Sequence, residues 1–166
     1  VDKTADGASE LVFAAAGNAE IEFFGVQLGT YFRSFRDASE TLNFEDTDEG
    51  AVVLRPTFWF GDIAGASLEG AFQLAQRGVI TRDPEDPAAA PEGPFIASVW
   101  RLGLMPFITP AGRGNFERPH LRAIYNVAFR DARARLLYPE GDPFRERDVE
   151  HFIGLGAEWW FNSSSY

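Results

Sequence analysis

Four arginines and two glutamates carry the side chains best suited to act on a solute: Arg55, Arg101, Arg118, Arg122, Glu69 and Glu158. Each lies on the small-or-polar side of a segment whose residues alternate in polarity. A planar guanidinium can fork to neighbouring hydroxyls and a carboxylate accepts from them, so the set suits a polyol. Phe116 and Trp160 fall on the same sides of their segments. Each offers an apolar ring against which the C–H face of a sugar can stack. The competing reading is that these charges pair across strands and only neutralise a wall. Glu69 and Glu158 could superficially act as the two carboxylates of a glycosidase, but they lie on distant segments with no cleft signal, and no catalytic residue is assigned. His120 and His151 are solitary and lack metal-ligand spacing, so no metal or other cofactor is expected. Glu45-Asp-Thr-Asp-Glu49 has the oxygen donors of a Ca²⁺ site but reads as a solvated loop. Asn162-Ser-Ser matches a glycosylation sequon, a pattern too short to carry a role by itself.

Composition narrows the classes further. The chain has 166 residues, no cysteine, and a net charge of −10 carried against one lysine and fourteen arginines. Without cysteine there is neither a disulfide framework nor a thiolate metal site. The acidic balance argues against nucleic acid as a partner, which needs a concentrated basic face. No stretch approaches the ~18 uncharged apolar residues of a membrane-spanning helix. The longest apolar runs, 11–19 and 102–112, are interrupted by glycine, asparagine or proline. Aromatic residues at 14% together with 16 glycines suit strands joined by tight turns.

The elements that must position these residues show a period of two. In 148–161, Val149, His151, Ile153, Leu155, Ala157, Trp159 and Phe161 oppose Glu150, Phe152, Gly154, Gly156, Glu158 and Trp160. In 118–130, Leu121, Ala123, Tyr125, Val127 and Phe129 oppose Arg118, His120, Arg122 and Asn126, joined by Ile124 and Ala128. Comparable runs occupy 96–109, 64–77, 52–60 and 21–35, and a shorter one covers 9–16, which makes about seven strands.

Two folds use such alternation. A soluble sandwich buries the apolar face against a second sheet, whereas an outer-membrane barrel turns it to lipid and lines a wet lumen with the other face. Most runs here are 10 to 14 residues long. That is close to the ~9–11 that cross a bilayer and well beyond the ~5–6 of soluble strands. The links also alternate in length. Those at 17–20, 61–63 and 110–116 are short, and those at 36–50, 78–95 and 131–147 are long. Short periplasmic turns and long extracellular loops give that pattern. The expected fold is therefore an all-β, antiparallel outer-membrane β-barrel, with 1–166 forming a single C-terminal segment. Seven strands alone would leave two open edges in hydrocarbon, so upstream strands are expected. A count of eight would instead describe a small closed barrel.

Three motifs resemble the maltoporin family of sugar porins. Phe116-Glu-Arg-Pro-His-Leu-Arg-Ala-Ile-Tyr-Asn-Val-Ala is similar to a W-S-R-P-x-I/L-R-x-F-x-T-Y-A strand. Glu150-His-Phe-Ile-Gly-Leu-Gly-Ala-Glu-Trp-Trp-Phe is similar to a closing E-W-x-x-G-x-x-x-E-x-W-W strand, and Leu54-Arg-Pro-Thr-Phe-Trp-Phe to an upstream V-R-P-x-Y-x-W strand. The likeness covers residues 50–161. It implies a homotrimer of barrels with about eighteen strands each, in the bacterial outer membrane, within the size range of such barrels. It also implies sugar diffusing along a path of aromatic rings with charged residues beside it. Carried over by position, Phe116 and Trp160 fall on that path, and Phe replaces the family's Trp at 116. Residues 162–166 run past the point where the family ends.

The expected function is passive, carbohydrate-selective diffusion with no enzymatic step. Its substrate-binding residues are Phe116, Trp160, Arg118, Arg122 and Glu158, and its partners are oligosaccharide or other sugar solutes and outer-membrane lipid. The alternatives are a small eight-stranded barrel that anchors or adheres, and a soluble carbohydrate-binding β-sandwich.

Overall fold

The structure is a computed structural model that describes residues 7–36, 46–77, 95–114 and 117–159. Seven strands form one antiparallel sheet: β1 Ser9–Ile21, β2 Phe24–Arg36, β3 Thr47–Trp59, β4 Ala64–Arg77, β5 Phe95–Ile108, β6 His120–Arg130 and β7 Val149–Glu158. Their order in the sheet is their order in the chain. Two four-residue helices, α1 Ala132–Arg135 and α2 Pro143–Glu146, interrupt the link between β6 and β7. No helix among the described residues is long and apolar enough to cross a membrane. β1 and β7 do not pair with each other, so among the described residues the sheet is open.

The links alternate between two ends of the sheet. Residues 22–23, 60–63 and 109–119 lie at one end, and those after β2, β4 and β6 at the other. Several boundaries differ from the sequence expectation. The first turn is Glu22-Phe23, not 17–20, because Gly17 and Asn18 sit inside a β1 ladder that runs from Ser9↔Arg36 to Ile21↔Phe24. β3 starts at Thr47, so the link expected at 36–50 is 37–46, and the one expected at 110–116 is 109–119; at ten and eleven residues these two links depart from the expected alternation of long and short. Asp48 and Glu49 have arginine partners on β2 that hold them in the ladder. The link expected as loop at 131–147 contains α1 and α2. β6 begins at His120 rather than 118, and β7 ends at Glu158. Most of the expected link 78–95 lies outside the described residues, and Phe95 already belongs to β5.

The pairing offsets align the apolar sides of all seven strands into one face. A single transverse row reads Ala15↔Thr30↔Val52↔Phe72↔Trp100↔Phe129↔Val149. The Phe72 and Trp100 rings within it are 4.5 Å apart. Since successive side chains alternate faces, a slip of one residue between any two strands would have broken that row. The only acid and arginine on this face within the strands are Asp48 and Arg36, which pair at 2.8 Å at the long-link end. Two strand prolines also lie on this face. Pro56 keeps its place opposite Val26 of β2 while the β3–β4 ladder skips it, and Pro106 stays opposite Ala66 while the β5–β6 ladder skips it. A proline has no N–H to give, so each loses pairing on one side only and leaves the register beyond it intact.

Burial runs opposite to that of a soluble protein. Among the described residues the buried hydrophobic ones are Trp59, Ala71, Ala97, Met105, Phe107 and Ala134, and all belong to the polar face or to α1 laid against it. The apolar face is open, with Leu102 52%, Ile153 81% and Leu155 90% exposed. The sheet therefore curves toward its polar face, which forms the concave side.

Candidate functional site

The concave face collects the charged strand residues into small clusters. At its centre Glu69, only 7% exposed, is shared by two arginines on the neighbouring strands. Arg55 donates to Glu69 Oε2 from Nε at 3.0 Å and from Nη2, and Arg101 Nη2 lies 3.3 Å from Oε1. Arg55 Nη1 also donates to Gln27 Oε1 at 3.5 Å. Gly103 makes this packing possible. A Cβ there would press on Asn126 Oδ1 and lie 3.3 Å from Glu69 Cβ, so a larger residue would have to displace the Asn126 amide.

A second cluster of the same composition lies toward the short-link end. Glu158 accepts from Arg118 Nη2 at 2.8 Å and from Arg122 Nη2 at 3.2 Å. The register puts Glu158 opposite His120, and Arg122 opposite Gly156, where a Cβ would lie 3.3 Å from the Arg122 stem. Three of the five binding residues expected from sequence, Arg118, Arg122 and Glu158, thus meet in one cluster. Phe116 and Trp160 lie outside the described residues.

Other groups on this face went unassigned from sequence. Trp59, Phe107 and His120 form an aromatic ladder across β3, β5 and the start of β6, with centroids 5.0 Å and 4.6 Å apart. The Phe107 ring lies over Gly65, where a Cβ would be 2.5 Å from Cζ. Trp59 and Phe107 are each 5% exposed, so they pack the concave face rather than offer a stacking surface. Beside them the hydroxyls of Thr57 and Ser67 bond at 2.9 Å. Arg113 braces this end, donating to the carbonyls of Glu22 and Gly61 and pairing with Asp62. It thereby ties the third short link to the other two.

At the long-link end the β6–β7 link folds inward. Asp131 caps α1 by accepting from Ala134 N at 2.6 Å, and its other oxygen accepts from Ser98 N and Oγ at 2.8 and 2.7 Å. These bonds seat Ala134 against Ala97 and Val99 on the concave face. Behind the helix the Arg130 guanidinium pairs with Glu150 and lies 5.4 Å from the Tyr138 ring and 5.3 Å from that of Phe144. Between this link and the Glu69 cluster lie three adjoining hollows of about 480, 420 and 630 Å³, and Gln73 lines all three. Its parity was readable from sequence, but its position at their junction depends on the register.

His151, on the convex face, stacks on Tyr125 and shares a 2.9 Å hydrogen bond with its hydroxyl. Comparison of the chain with protein families, with characterised proteins and with solved structures finds no match in any of the three.

Proposed function

We propose that this chain forms part of the wall of a bacterial outer-membrane channel for passive, carbohydrate-selective diffusion, of the kind its maltoporin-like motifs imply. The observation that carries the reading is the uncovered apolar face, free of charge except for one ion pair at its rim. From Ile96 to Ile108 that face covers about 41 Å of strand at ~3.4 Å per residue. At a tilt of ~40° this becomes about 31 Å of depth, close to the ~30 Å of a hydrocarbon core. A soluble sandwich would lay a second layer on this face, and no described residue does so. Water would meet Leu155, Ile153 and Leu102 there, whereas lipid meets them without penalty.

On this reading the concave face lines the lumen, the short links are periplasmic, and the long ones are extracellular. Closure requires further strands bridging the open edges of β1 and β7, since each backbone group left unpaired in hydrocarbon costs several kcal/mol. Assembly as a homotrimer follows from the resemblance. The family motifs imply Phe116 and Trp160 as the stacking residues, and Arg118, Arg122 and Glu158, which meet toward the short-link end, offer partners for sugar hydroxyls.

The test is single-channel recording of the full-length protein in planar bilayers, with maltotriose as the blocking solute. Discrete conductance steps with saturable block are expected. Trp160→Ala and Phe116→Ala should each weaken block by about 2- to 12-fold, the loss of one stacking contact of ~0.5–1.5 kcal/mol. Absence of conductance steps refutes the channel, and unaltered block in both variants refutes the aromatic path.

A further inference from the structure

The geometry points to a binding site for an acidic sugar on the concave face, in the hollow lined by Gln73, Arg101, Tyr138, Glu150 and Phe152. The inference rests on the channel reading and names the class of solute it favours.

Charge is the first observation. Arg55 and Arg101 share the single carboxylate of Glu69, so the cluster carries one uncompensated positive charge. Its distribution is uneven. Glu69 is 7% exposed beneath the cluster while the Arg101 side chain is 46% exposed above it. Arg55 spends three donors on Glu69 and Gln27. Arg101 touches Glu69 through Nη2 alone, at 3.3 Å. The charge that reaches the hollow is therefore the guanidinium of Arg101, whose Nη1 and Nε have no hydrogen-bond partner among the described residues and can fork onto an oxyanion. The other pair lining the hollow, Arg130 and Glu150, is balanced.

The neighbours of Arg101 argue for a sugar rather than a bare anion. Gln73 stands one step diagonal to it, since Ala71 is opposite Arg101 and Gln73 opposite Val99, a separation of ~7–8 Å that a pyranose ring spans. The Gln73 amide has both donor and acceptor for ring hydroxyls, and Glu150 accepts from them. Phe152, 53% exposed and on the same face, offers its ring to a sugar's C–H side, and Tyr138 closes the hollow from the inward-folded link. An oxyanion for Arg101, hydroxyls for Gln73 and Glu150 and an apolar flank for Phe152 describe a hexose carrying a carboxylate or a phosphate. The whole chain is acidic, at −10, so preference for an anion would come from a local excess of arginine such as this one and not from net charge.

The experiment measures block of the full-length channel in planar bilayers by digalacturonate, glucose 6-phosphate, maltose and inorganic phosphate. Digalacturonate or glucose 6-phosphate should block at about tenfold lower concentration than maltose, the factor one charge-assisted hydrogen bond supplies. Which of the two does so identifies the oxyanion. Arg101→Gln should remove that tenfold ratio, and Arg33→Gln, on the same face but outside the hollow, should keep it. A channel that maltose blocks as well as either acidic sugar overturns the site and leaves the channel reading standing. Inorganic phosphate blocking as well as glucose 6-phosphate also overturns it, because the hollow would then read charge without the sugar. A protein without conductance removes both.

Discussion

Leu102 and Gln73 offer the sharpest test of which face meets lipid. Leu102 lies near mid-strand on the convex face, opposite Gly70 and Val127, and is 52% exposed. Gln73 lies on the concave face of the adjoining strand, within three positions of the same depth. An arginine at Leu102 must place a guanidinium in the middle of the hydrocarbon, and at a barrel midplane this costs about 2–4 kcal/mol. No convex-face residue near it can take the charge, since its neighbours in the row are Leu54, Gly70, Val127 and His151. An arginine at Gln73 meets water and the exposed side of an existing arginine cluster, so its cost should stay at about 0–1 kcal/mol. Leu102→Arg should therefore shift the folding equilibrium about 30- to 700-fold and Gln73→Arg by less than about fivefold. The assay is reversible guanidinium unfolding of the full-length protein in lipid vesicles, read by tryptophan fluorescence, with wild-type slope as the condition for comparing midpoints. Equal losses at the two positions, or a larger loss at Gln73, would refute the lipid-facing assignment.

Other expectations concern how the wall is built. Gly65→Ala should destabilise by about 1–3 kcal/mol in the same assay, because its Cβ meets Phe107 at 2.5 Å and the Phe58 carbonyl at 2.6 Å. Gly70→Ala, with nothing within 4 Å, should stay within about 0.5 kcal/mol. Glu69→Gln leaves Arg55 and Arg101 facing each other without their shared carboxylate. It should cost about 1–2 kcal/mol, less than a fully buried pair because both arginines are partly solvated, and a shift in unfolding midpoint checks it. Asp131→Ala removes the α1 cap and the tie to Ser98, at a local cost of about 1–2 kcal/mol. Faster trypsin cleavage after Arg133 and Arg135, without change in the β-sheet signal, is the expected readout.

The strands and their facing were legible because alternation is a local property. β4 was expected at 64–77 and found there, and the split of Leu68, Gly70, Phe72 and Leu74 from Ser67, Glu69, Ala71 and Gln73 holds in the sheet. What misled was composition read without partners. Gly17-Asn18 has the residues of a turn, yet the parity of Phe13, Ala15, Ala19 and Ile21 runs through it unbroken. Asp48 and Glu49 look like loop acids until they are seen to pair with Arg36 and Arg33 of β2. The helices in the last link are four residues each, too short for a helical period to show. Their only local signals were Asp131 as a cap and Asp142-Pro143 as a cap with proline at the first helical position. At the site, parity puts Arg55, Glu69 and Arg101 on one face, but which carboxylate is shared depends on pairing offsets between strands. The Trp59–Phe107–His120 ladder depends on the same offsets.

Every strand in this sheet pairs only with its predecessor and its successor. Each closing event therefore joins neighbouring segments, and the entropy of closure rises only slowly with link length. Assembly can proceed hairpin by hairpin, without waiting for distant segments to meet. The same arrangement makes the hairpin a unit of inheritance. Adding or deleting one returns the chain to the same end of the sheet and leaves the direction and facing of every other strand as before. Circumference can then drift between descendants by steps of two strands, while the Arg–Glu–Arg clusters, each contained within adjoining strands, pass through the change intact.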